Sequence, residues 1–182
     1  MKSKYLLPYM FAASLLAANP EDVKKLDQFL AKEENQTPLD LQGTDMRTYN
    51  LDEPAGKGKE FTGANMQGAL FMGKTIRGIR FKGVNFEGAN FEGADLSKVY
   101  FEQCKLHGAN FKNAKLRFGG FRDCDVSKTD FNGANLESIG FTNGTINDSS
   151  FDKATLFRVS MVNTKHDNVS WKGASKKDCT GF

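Results

Sequence analysis

The sequence predicts an all-β solenoid preceded by a capping α-helix, and three regularities predict it. First, every fifth residue from Phe61 to Met161 is apolar without exception: Phe61, Met66, Phe71, Ile76, Phe81, Phe86 and onward to Phe151, Leu156 and Met161. With 39% apolar residues overall, chance gives such a run on the order of once in 10^8 trials, and a beat of five fits neither helix nor strand. Second, small residues hold fixed places around the beat. Ala stands two positions before the large residue (Ala64, Ala89, Ala109, Ala134), Gly two after it (Gly63, Gly88, Gly108, Gly133), and Asn or Asp just before it (Asn85, Asn110, Asp130). The unit reads Ala-Asn/Asp-Leu/Phe-polar-Gly, an inward pair followed by a corner, and the Gly suits the positive φ of a type II turn. Third, from Phe91 to Leu156 the large positions alternate Phe with Leu, Val or Ile. That secondary period of ten requires an even number of sides per coil.

The elements follow in order. Residues 1–18 read as an export signal: Lys2 and Lys4 precede an apolar run from Tyr5 to Leu16 that ends in the small residues Ala17 and Ala18. The run is short for a membrane span, and no stop-transfer segment follows it. Leu16 is a poor residue so close to a cut at Ala18, and a helix packed on the domain is the other reading. Residues 19–36 read as a capping helix. Asn19 caps, Pro20 suits the first helical position, and Glu21 and Asp22 favour the positive end of the dipole. Val23, Leu26 and Leu30 share one face, which would cover the open end of the first coil. Residues 37–176 hold the repeat. Within them Leu39, Leu41, Thr44, Met46, Tyr49 and Leu51 form an imperfect first coil. Residues 52–60 abandon the apolar rule while keeping the count of five, and read as an exposed loop. His166 and Lys176 take inward positions, so the solenoid is ending, and 177–182 form a tail. That tail, or a second copy meeting the first end to end, must cover Met161, Val169, Trp171 and Phe182.

The stretch Gly88-Ala89-Asn90-Phe91-Glu92-Gly93-Ala94-Asp95-Leu96 resembles the pentapeptide repeat family, and the resemblance runs from about Phe61 to Trp171 with a fragment at Leu39 to Leu51. It implies a right-handed quadrilateral β-helix with four pentapeptides per coil. A coil of twenty stacks like on like: Phe61, Phe81, Phe101, Phe121, Phe141 and Met161 in one column, and Phe71, Phe91, Phe111, Phe131, Phe151 and Trp171 in another. The aliphatic columns run from Met66 to Ile146 and from Ile76 to Leu156. The resemblance also implies a homodimer through the C-terminal end.

Composition narrows the function without naming it. A net charge of +3 excludes a strongly basic nucleic-acid binder and weakens an acidic nucleic-acid mimic. His107 and His166 stand alone, and the cysteines lack zinc spacing, so no metal, cofactor or catalytic residue is expected. Cys104 and Cys124, twenty apart, stack on adjacent coils facing inward; a disulfide and a pair of buried thiols are both open, and Cys179 is left over. Phe118 and Phe157 fall off the inward register. With Lys98, Tyr100, Arg117, Arg122 and Arg158 they form a partly basic aromatic ridge, interrupted by Glu102 and Glu137, that suits a partner protein. The leading expectation is a non-enzymatic, periplasmic or secreted scaffold that binds another macromolecule. The alternatives are a gyrase-protecting DNA mimic, cytoplasmic if residues 1–18 are retained, and a secreted effector acting on another cell.

Overall fold

The computed structural model describes residues 20–31, 40–44, 46 and 60–182. The export signal at 1–18 lies outside the described residues, as do 52–59 of the expected loop. Glu60, expected to end that loop, instead opens the first strand.

The strands are three residues long, and all but the last bury the middle side chain inside the coil. On the first side, β1 (Glu60–Thr62), β2 (Arg80–Lys82), β3 (Tyr100–Glu102), β5 (Gly120–Arg122), β7 (Gly140–Thr142) and β9 (Ser160–Val162) form a parallel six-stranded sheet. On the fourth side, β4 (Lys115–Arg117), β6 (Asn135–Glu137), β8 (Thr155–Phe157) and β10 (Ser175–Lys177) form a parallel four-stranded sheet. The register is twenty residues per coil: Phe61 pairs with Phe81, Phe101 with Phe121, and Leu116 with Leu136. The second and third sides are held by single bridges, such as Asn85 to Lys105 and Asn90 to Asn110. The chain is thus the expected right-handed quadrilateral β-helix.

Packing explains the period of ten. Phe rings of the first and third sides stack along the axis, 5.0 Å apart for Phe101 and Phe121 and 4.8 Å for Phe91 and Phe111. Across the axis the two stacks meet edge to face, with Phe111 and Phe121 centroids 5.9 Å apart at 89°. Both geometries are favoured by the ring quadrupole. The slot two positions before each large residue is not always small. Ahead of the first side it holds Ile79, Val99, Ile139 and Val159, all buried, and Gly119 interrupts that column.

Corners differ between sides. After the third side, and after the earlier coils of the second, the chain closes a turn on itself, as when Ala89 N–H donates to the Phe86 carbonyl at 2.9 Å. Asn90 Oδ1 accepts the Glu92 N–H at 3.0 Å, which explains the Asn that precedes many large residues. The positive φ expected of Gly is present at Gly88 and Gly108, but later coils place Asn113, Asp123, Lys128 and Phe118 in the same left-handed conformation.

At the N-terminal end α1 spans Pro20–Ala31, and residues 19 and 32–36 of the expected helix lie outside the described residues. Its Leu26 is buried in the core, and Asp22 accepts a 3.1 Å bond from Thr44 Oγ1. Leu41 N–H donates to the Asn65 carbonyl and Met46 N–H to the Leu70 carbonyl. Leu41 therefore lies against Met66 rather than Phe61, so the first coil is offset by one extra pentapeptide. At the other end Trp171 stacks on Phe151 at 4.6 Å, and Phe182 packs on Trp171 at 5.0 Å. Lys176 Nζ lies 3.9 Å from the Trp171 ring and 4.4 Å from that of Phe182, so the tail covers part of the last coil.

Candidate interaction surface

Six residues of the expected ridge fall along the edge between the fourth and first sides, and Arg122 stands at the opposite end of the first side, before the corner at Asp123. Lys98, Phe118, Ser138 and Arg158 occupy successive corners, each twenty residues from the next. Beside them on the fourth side Arg117 pairs with Glu137 and Glu137 with Phe157 in register. On the first side Tyr100 aligns with Gly120, and Glu102 with Arg122.

Their environments differ. Phe118 is 51% exposed and has φ of 56°. It is the one apolar side chain among the non-glycine residues that adopt this conformation in the described part of the chain. Tyr100 is exposed, with the Arg80 guanidinium 5.5 Å from its ring. Phe157 is half-buried between Arg158, 4.7 Å away, and Lys177, 5.8 Å away. Arg117 Nε lies 3.6 Å from Glu137 and Arg122 4.0 Å from Glu102, which also binds Arg80. Much of the basic character of the ridge is therefore met by carboxylates of neighbouring coils.

Three glycines escaped the sequence reading. Gly119 and Gly120 follow Phe118, and Gly140 aligns with Gly120. A Cβ on Gly119 would stand 2.1 Å from the Val99 carbonyl oxygen, so backbone occupies the space that Val or Ile fills in other coils. The available signal was position: these glycines stand before the large residue, not two after it.

Cys104 and Cys124 are free thiols buried in the stack, and each is directed at a backbone carbonyl, Cys104 at that of Phe81 and Cys124 at that of Phe101. Cys124 Sγ accepts the Cys104 N–H at 3.4 Å and donates to the Phe101 carbonyl at 3.3 Å, spanning a corner of the preceding coil. The thiol contact with Cys104, followed by burial, pushes the Cys124 thiol well above its ordinary value. Ser149 Oγ spans the corner after Val126 in the same way, bonding Thr129 N–H at 3.0 Å and the Val126 carbonyl at 2.9 Å.

Among the described residues no group of three or more His, Cys, Asp or Glu is placed to hold a metal ion, and no helix is long and apolar enough to cross a membrane. A shallow cleft on the third side is lined by Lys112, Asn132 and Asp152, whose polar atoms bond along the stack: Asn132 accepts from Ser150, and Asp152 from Ser170.

The family model described as a pentapeptide repeat region matches residues 94–171. Among curated proteins none matches the chain. Similar solved structures include a trypsin-treated form of QnrB1, a plasmid-mediated fluoroquinolone resistance protein, at 22% identity over 68% of this chain and 65% of that one, with a TM-score of 0.49. The aligned part thus spans less than two thirds of that protein. HetL, involved in heterocyst differentiation regulation in the cyanobacterium Nostoc sp., is 13% identical over 85% of this chain and 92% of its own, with a TM-score of 0.44. Rfr23 from the cyanobacterium Cyanothece is 18% identical over 82% and 98%, with a TM-score of 0.43. Residues 94–171 are a pentapeptide repeat region, and the four-sided coil that contains them is a pentapeptide repeat β-helix.

Proposed function

We propose that the chain is an exported, non-enzymatic scaffold whose β-helix binds another protein through the edge between its fourth and first sides. Phe118 carries the reading. A bulky residue with positive φ costs about 1–2 kcal/mol, and with half its surface in water it recovers little of that by burial. An exposed aromatic beside arginines is the composition of a binding hot spot. Changing Phe118 to Ser should leave the melting temperature within about 3 °C while weakening capture of the partner from the native compartment. A large loss of stability would show instead that the ring is a packing residue.

A gyrase-protecting mimic requires a rod whose carboxylates imitate phosphates. Here Glu102 and Glu137 are engaged by arginines, which favours the protein-binding reading. Absence of any effect in a gyrase supercoiling assay is the expected result. Export is tested by fractionation with N-terminal sequencing: an intact Met1 in the cytoplasm would overturn it.

A further inference from the structure

We infer that a trough of bare backbone at Gly120 and Gly140, walled by Tyr100, Phe118 and Arg122, receives an acidic polypeptide segment that carries an apolar side chain. This rests on the protein-binding reading above and assigns its partner chemistry.

The outward row of the first side runs Glu60, Arg80, Tyr100, Gly120, Gly140 and Ser160 in register. Two consecutive side chains are missing from it, directly beside the exposed Phe118. Only one of these glycines is demanded by the fold. A Cβ on Gly120 would stand 2.7 Å from the Gly140 carbonyl oxygen, whereas a Cβ on Gly140 would meet nothing closer than 3.8 Å. Gly140 also has no positive φ. The trough is therefore longer than backbone geometry requires, and its apolar wall is the ring held in a costly conformation.

Charge selects the partner. At its outward positions and closing corner the fourth side carries Arg77, Lys98, Lys115, Arg117, Arg158 and Lys177 against Asp95, Glu137 and Asp178. From residue 60 onward the same positions on each of the other sides are balanced to within one charge. A cationic border beside an apolar wall fits an acidic segment with an apolar anchor. With Glu102 and Glu137 set between the cations, the border suits a polypeptide whose carboxylates are spaced apart around an apolar side chain rather than a nucleic acid with a charge at every phosphate.

The test is selection of a displayed library of random short peptides on the full chain. Enriched peptides should combine Asp or Glu with apolar residues. Their affinity should fall about tenfold or more with Gly140→Trp, which fills the trough at a site with room for a Cβ, and with Phe118→Ser. Lys112→Ala on the third side should leave it unchanged. Circular dichroism of G140W establishes that it folds, and Gly140→Ala, with a smaller loss, serves if it does not. Enrichment of basic peptides, or affinity indifferent to Gly140 and Phe118, would overturn the inference. Peptides lost with Phe157→Ser but indifferent to Gly140 would overturn the trough and leave the edge reading standing. Tighter binding of a single-stranded oligonucleotide than of any selected peptide would overturn the partner class.

Discussion

The third side closes each corner on itself, as Ala114 N–H does on the Phe111 carbonyl at 3.1 Å, whereas the corner after Phe101 is spanned by Cys124 from the next coil. Both sides stack phenylalanines with the same period and bury them equally. The difference lies in where the polar backbone finds its partner: within five residues on one side, a full coil away on the other. A locally closed corner needs only its own pentapeptide. One closed by its neighbour depends on what stands twenty residues later, and its character can change from coil to coil. The edge between the fourth and first sides is where it changes most, from Lys98 to Phe118 with its glycines, then Ser138 and Arg158.

The largest effect tests what the sides share. Phe111→Ala on the third side and Phe121→Ala on the first should each cost about 3–5 kcal/mol in urea unfolding; markedly unequal losses would break the claim of a common interior. Next, Gly119→Ala should cost about 1–3 kcal/mol, because its new methyl meets a backbone carbonyl, while Gly140→Ala stays within about 0.5 kcal/mol. Equal effects would remove the distinction between a required and an unrequired glycine. Ser149→Ala should cost about 1–2 kcal/mol by leaving Thr129 N–H and the Val126 carbonyl unpaired; a neutral result would mean that the corner can close locally.

Smaller effects sharpen the outer surface. Phe118→Asn should stabilise the fold by about 1 kcal/mol, since Asn tolerates positive φ, and thermal unfolding measures it. Acid should act weakly and in one direction. Burial alone would raise the Asp95 carboxyl, but its bonds with Arg77 and Ser97 outweigh this and hold it below its ordinary 3.8. Its contribution is therefore complete above that unfolded value and is lost as pH falls through the lower folded one. Asp95→Asn should flatten the acid limb of melting temperature against pH; an unchanged limb would show that the contact is too exposed to matter.

The inward positions were legible because burial repeats with the beat itself. Phe118 was legible as an exception to it, as was the ridge around it. The offset of Leu41 was not, because a count of five is the same on every side and an extra pentapeptide leaves it intact. The roles of Gly119 and Ser149 were hidden for a related reason: each acts on a residue of an adjacent coil, Val99 or Thr129, at a distance in sequence that the repeat alone does not reveal.

The sequence by itself determined which residues face the axis, since a strand of three and a corner of two return every fifth side chain to the interior. The tertiary structure decided which side each pentapeptide occupies, which corners close locally, and that Phe118 stands beside bare backbone. Those outcomes depend on contacts between coils, where the partner of each polar or glycine position is set by stacking rather than by its own five residues.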